Sequence, residues 1–277
     1  MMRISPVCIF LDCWGQSQFC TTINLLIAME VIEPWDLQAD SVRSSDTVNN
    51  VIIFCEDDAV EPTYFQDFGT PNLHVSINRN YKQHHFHVDA VVEHFRAIGM
   101  LEFVDGVERL KIDEGSYVWC VFDRDKAPDK ADAAFNLSIR NAEDMGVRVA
   151  WSNDNFELWL LLHFENVPLD NPTFEHRDTY YGRLTEIVAE GPAVNSAHQA
   201  ILNQIAAGAP TYSYYNWMKS ESNFKNVTRH LLTGLTSDAI QRARALHDHF
   251  STPARPPHQM MPCTLVYQLV EQLLSLQ

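Results

Sequence analysis

Asp123 and Asp125 stand one residue apart at the end of an apolar stretch, Val118-Trp-Cys-Val-Phe-Asp-Arg-Asp125. In a strand, residues i and i+2 project to one side, so both carboxylates can face one point. Like charges held that close are unfavourable unless a cation lies between them, and hard oxygen donors suit Mg²⁺ or Mn²⁺. The bland alternative is a pair of solvated turn aspartates. Glu56 follows a second apolar run, Val51-Ile-Ile-Phe-Cys55, and Ser152 to Glu157 follow a third, Val147-Arg-Val-Ala-Trp151. A metal held by such carboxylates activates water and stabilises charge on a phosphoryl oxygen, which is the chemistry of phosphodiester cleavage. Glu56 either shares the metal or moves a proton as general acid or base.

These residues need a scaffold that brings strand ends together. The short continuous apolar run Val51–Cys55 predicts a strand buried on both faces, and His74–Ile77, Val118–Phe122 and Val147–Trp151 read as further strands. Between them, Val88–Met100 and Asp129–Met145 carry apolar residues at helical spacing, the second with Gly146 as its stop. Strands alternating with helices predict an α/β fold with a mostly parallel sheet flanked by helices, and in such sheets sites form at the carboxyl ends of strands. From Phe156 the pattern turns mainly helical, with segments at Tyr180–Ala189, Ala197–Ala206, Ser237–Phe250 and Thr264–Leu276. Residues 1–50 follow no clean period and read as an N-terminal extension of unknown role, ahead of a metal-binding domain at 51–165 and a helical region at 166–277.

The formal net charge of −16 argues against broad, unaided nucleic-acid binding, so a nucleic-acid enzyme of this composition needs a local groove, metal ions or a partner. No apolar run reaches the length of a membrane span, and the six cysteines form no CxxC pair or regular framework, which points to the cytoplasm. Cys55 and Cys120 read as small core residues rather than nucleophiles. His163 reads as a core histidine, and Leu265, Leu269 and Leu273 as core or a subunit contact. His84, His85 and His87 form a weak HHxH pattern. Arg124 is either a phosphate contact or a solvated arginine between two ligands. Glu61 is either a further ligand or an acid favoured at a helix start.

Four blocks carry a family resemblance: Ile53-Phe-Cys-Glu56 with Glu61-Pro-Thr-Tyr-Phe65; Val121-Phe-Asp-Arg-Asp125; Ala150-Trp-Ser-Asn153 with Phe156-Glu-Leu-Trp-Leu-Leu-Leu-His-Phe164; and Thr264-Leu-Val-Tyr-Gln-Leu-Val-Glu271. In this order they resemble RloB-like proteins over about residues 51–277. That family resembles the Toprim fold of topoisomerases, primases and OLD-type nucleases. The resemblance implies a metal site at Glu56, Asp123 and Asp125, with Ser152 and Glu157 joining it, and a catalytic lysine for which Lys219 is the candidate. It also implies a nucleic-acid substrate (RNA, tRNA among them, or DNA), an AAA/ABC-type ATPase partner and a role as an anti-phage defence effector, by analogy with the PARIS system. The chain departs from the family pattern at Glu56-Asp-Asp-Ala-Val-Glu-Pro62, which lacks the usual glycine, and at Ser152-Asn-Asp-Asn155, where SNP is usual.

The expectation is an Mg²⁺- or Mn²⁺-dependent nuclease. A non-catalytic adaptor or sensor subunit docked to the ATPase is the alternative, and nucleotidyl transfer is a third reading with no nucleotide pocket in its support.

Overall fold

The computed structural model describes residues 48–79, 87–124 and 132–277. The expected extension at 1–50 lies outside these except for its last three residues, and two of those, Asn49 and Asn50, already open the first strand. The HHxH histidines and Asp125 likewise fall where nothing is described of their side chains.

Strands β1 (Asn49–Cys55), β2 (Leu73–Asn78), β5 (Ser116–Asp123) and β6 (Arg148–Asn153) run parallel, in the order β2-β1-β5-β6. They are the four expected strands: the first three are extended by two or three residues, and β6 starts one residue later than expected and runs two further. Between β2 and β5 lies helix α2 (His87–Ala97), expected over Val88–Met100, and then an antiparallel hairpin that apolar runs did not foretell, β3 (Leu101–Val104) and β4 (Val107–Leu110). Phe103 and Val107 of this hairpin are exposed, so it carries no core-facing pattern to read.

Alternation within β5 assigns the two faces of the sheet. Phe122 meets Phe135 of α3 (Asp132–Asp144) with ring centroids 5.8 Å apart, and Phe54 of β1 meets Phe95 of α2 at the same separation. Phe54 pairs with Cys120, two residues before Phe122, so α2 and α3 share a face. Trp119 points the other way and donates its indole N–H to Gln272 of α10 (Val266–Ser275) at 2.7 Å. Helices therefore cover both faces, and the buried strands can be apolar throughout. Gly146 ends α3 with φ +91°, the left-handed conformation that a helix-terminating glycine supplies.

Helix α1 (Val60–Phe65) packs on α4 (Glu157–Phe164), where Tyr64 touches the rings of Phe156, Trp159 and His163. His163 is a core residue, 3.3 Å from the Tyr64 hydroxyl and 3.0 Å from the Trp159 carbonyl oxygen. Beyond α4 come α5 (Arg177–Glu190), α6 (Ser196–Ala206), the short helices α7 (Glu221–Asn223) and α8 (Arg229–Leu232), and α9 (Thr236–Ser251). Two π-helical turns, Tyr214–Met218 and Phe224–Thr228, interrupt this part. Arg242 of α9 donates to the carbonyl oxygens of Leu162 and His163 at 2.7 and 2.8 Å, satisfying acceptors that the end of α4 leaves open.

The C-terminal helix was expected from Thr264. Instead Cys263 and Thr264 form β7, which pairs antiparallel with β6 and completes the five-stranded sheet. Leu265, Leu269 and Leu273 are buried, so that stripe is core. Cys55, Cys120 and Cys263 are buried and unpaired, and burial pushes each thiol up, Cys263 to about 12.

Candidate active site

The carboxyl ends of β1 and β5 open into a cavity of about 530 Å³. Glu56, the residue after β1, is fixed there by its backbone and its side chain together. Its amide N–H donates to the Val121 carbonyl oxygen at 3.1 Å, and its Oε2 accepts from the backbone N–H of Asp123 at 2.8 Å. The parallel register that sets Cys55 beside Val121 thus brings Glu56 and Asp123, distant in sequence, to one rim.

Asp57, Asp58 and Glu61 line the same cavity. Asp57 Oδ1 accepts from Ala59 N at 3.0 Å, and Glu61 Oε2 accepts from Asp57 N at 3.1 Å, a tight turn that launches α1 and needs no glycine. Glu61 is 2 % exposed. Burial first, then the nearby Asp57 and Glu56 carboxylates, hold its carboxyl well above the usual range. Glu61 thus ties the turn that starts the helix and also lines the cavity.

Glu157 opens α4 and is almost wholly buried, yet it lines the cavity. Lys219, at the end of the first π-helical turn, reaches it with Nζ 2.8 Å from Oε1, while Oε2 accepts no hydrogen bond. Burial lowers the tendency of Lys219 to hold its proton, but Glu157, Tyr181 and Asp123 outweigh that and keep the ammonium above its ordinary range. The candidate lysine and the candidate glutamate therefore stand in one ion pair inside the cavity.

One expected ligand is placed differently, and another is not described. Ser152 sits beside Asp123 in register but does not line the cavity, and its Oγ is 2.9 Å from Thr264 Oγ1 across β6 and β7. Asp125 lies outside the described residues. Arg124 is neither loose nor solvated: its side chain is 14 % exposed, donates to Asn153 Oδ1 at 3.3 Å and pairs with Asp132.

The cavity also contains residues that spacing did not single out, among them Arg177, Tyr215 and Asn216. Arg177 is bound by the buried Asp154 through Nε at 2.9 Å and Nη2 at 2.7 Å. Asp154 occupies the place of the usual proline after Ser-Asn, so the departure from that pattern supplies the anchor for Arg177. No local signal linked the two, because the partners lie on separate elements.

A family model described as RloB-like protein matches residues 51–273. The chain belongs to the RloB-like family. No curated protein and no solved structure matches it. In this RloB-like chain the match begins at β1 and runs into α10, so it spans every element that lines the cavity.

The donor set of the RloB-like site has the chemistry of a hard-cation site. Among the described residues, six carboxylates (Glu56, Asp57, Asp58, Glu61, Asp123, Glu157) and two cationic side chains, Arg177 and Lys219, line the wall, with no thiol or imidazole. Among the described residues no three acidic, imidazole or thiol side chains already converge as a metal cage. The fit therefore lies in the donors and in the buried Glu157 oxygen, rather than in preformed coordination.

Proposed function

We propose that this cavity is the active site of an Mg²⁺- or Mn²⁺-dependent nuclease on a Toprim-type sheet, hydrolysing phosphodiester bonds of RNA (tRNA included) or DNA. The single observation that carries the reading is the convergence of Glu56, Glu61, Asp123, Glu157 and Lys219 on one cavity, from segments scattered along the chain. Family membership supports the wider role, a cytoplasmic effector of anti-phage defence governed by an AAA/ABC-type ATPase.

Asp123 and Glu56 would hold the metal, joined by Asp125 from the segment after β5, and Glu157 would support a second ion. The bound metal supplies an activated water and neutralises charge on the phosphoryl oxygens. Lys219 brings a fixed positive charge to the phosphate, and its pairing with Glu157 keeps that charge in place and protonated. Glu61, whose carboxyl favours its proton, is placed to give or take one at Oε1 or Oε2 during turnover.

The adaptor or sensor reading draws on two observations, the net charge of −16 and the altered turn from Glu56 to Glu61, which lacks the family's usual glycine. One assay separates the readings: purified protein is incubated with total tRNA and with plasmid DNA in Mg²⁺, Mn²⁺ or EDTA, beside an Asp123→Ala/Asp125→Ala variant. The nuclease reading expects metal-dependent cutting that the variant lacks. Absence of cutting by the wild type, alone and with its ATPase supplied, refutes it and favours the adaptor.

A further inference from the structure

We propose that the cavity receives nucleic acid as an unpaired strand, with Tyr215 as the platform on which a base beside the scissile phosphate stacks. This rests on the nuclease reading above and names the form of its substrate.

Tyr215 is 59 % exposed, although its neighbours Tyr214 and Met218 on the same π-helical turn are fully buried. Those two anchor the turn, and Tyr215 is presented into the cavity that Asp123, Glu157 and Lys219 line. π-Helical turns are rare and are often found at functional sites. The ring is braced rather than loose. It meets Tyr181 at 5.2 Å between centroids and 62° between planes, and the Tyr181 hydroxyl in turn accepts from Asn155 Nδ2 at 3.0 Å. Lys219 Nζ lies 5.5 Å from the Tyr181 ring, so the aromatic pair and the candidate catalytic ion pair form one assembly. Arg177 stands in the same wall, held in orientation by Asp154. A braced aromatic face and a guanidinium held in orientation thus line one cavity, groups of the kinds that take up a base and a phosphate.

Base accessibility, with little basic charge to grip a duplex, decides between duplex and single strand. Proteins that track duplex DNA take their affinity from many Lys and Arg contacts to phosphates. A chain with 20 basic and 36 acidic residues lacks that source. Stacking on an aromatic ring is independent of net charge, and a base is free to stack only when it is unpaired.

The test is fluorescence anisotropy with the full chain, in Ca²⁺ to suppress cutting, using labelled single-stranded RNA and DNA and the same sequences annealed into duplexes. Wild type should prefer the single strands. Tyr215→Ala should weaken single-strand binding about tenfold or more, and Tyr215→Phe and Tyr215→Trp should restore it, as stacking requires. The salt dependence should be unchanged in Tyr215→Ala, because no phosphate contact is lost. Equal binding of duplex and single strand overturns the proposal, as does undiminished binding by Tyr215→Ala or no binding at all by wild type. Cleavage enters none of these readouts. Tyr215-dependent binding by a chain that never cuts would retire the nuclease reading alone, and metal-dependent cutting with an indifferent Tyr215 would retire this one alone.

Discussion

Lys219 Nζ lies 2.8 Å from Glu157 Oε1, joining the end of a π-helical turn to the first residue of α4. Glu157 is about 1 % exposed and Lys219 about 30 %, so the carboxylate depends on the ammonium far more than the reverse. Removing one partner of a buried pair is more damaging than removing both. Lys219→Met should destabilise the fold by about 3 kcal/mol, and the double variant Lys219→Met/Glu157→Gln should recover most of that. Urea titrations of the four proteins measure the coupling, and additive losses would show that the pair is not a unit.

Metal binding should be visible without turnover. A ligand bound only by the folded state stabilises it, by about 2.7 kcal/mol at a hundredfold excess over Kd. Thermal melts in Mg²⁺ or Mn²⁺ should shift upward for the wild type and return with EDTA, while Asp123→Asn shows no shift. Because the Glu61 carboxyl favours its proton, the metal-induced shift should shrink as pH falls. A shift that survives in Asp123→Asn would place the cation elsewhere.

His163 makes stability depend on pH. Burial, partly offset by hydrogen bonding of the ring to α4 backbone carbonyl oxygens, pushes its imidazole down to about 4 from 6.5. Below 6.5 the unfolded chain takes up a proton that the folded chain refuses, so this contribution is complete above 6.5 and is lost as pH falls towards 4. The loss should reach about 2 kcal/mol between pH 7.5 and pH 5. Denaturant midpoints at the two pH values, in wild type and in His163→Gln, isolate the effect, which should be absent from the variant.

Arg242 closes the far end of the same helix. Arg242→Ala strips the Leu162 and His163 carbonyl oxygens of their donor and should cost roughly 2 kcal/mol, read from the urea midpoint. Arg242→Lys should recover only part, since a single ammonium has a different reach and geometry.

Much of this architecture was legible because buried parallel strands are written as continuous apolar runs. Val51–Cys55 and Val118–Phe122 announce themselves, and each ends on the acid that lines the cavity. The parts that were not legible depend on contacts across the chain. β7 is two residues long and carries no period, and its identity comes only from pairing with Ser152 and Asn153. The hairpin of β3 and β4 has no buried face to impose alternation. Arg177 looks like any helix-start arginine until Asp154 is placed beside it. Lys219 is a candidate through family resemblance alone, since the surrounding aromatic run follows a π-helical turn that no 3.6-residue periodicity describes.

Synthesis order gives the β6 edge a further meaning. Asn153 donates through Nδ2 to the carbonyl oxygens of Pro257 and Met260, and Ser152 and Asn153 pair with Thr264 and Cys263. The corner that sets Phe156 and Glu157 over the cavity is thus braced by residues translated more than a hundred positions later. A nascent or prematurely terminated chain holds every acid of the cavity but not the clasp that positions Glu157. A ribosome must pass Thr264 before the corner can lock, so this wall of the cavity is completed only after synthesis has gone far beyond the acids that line it.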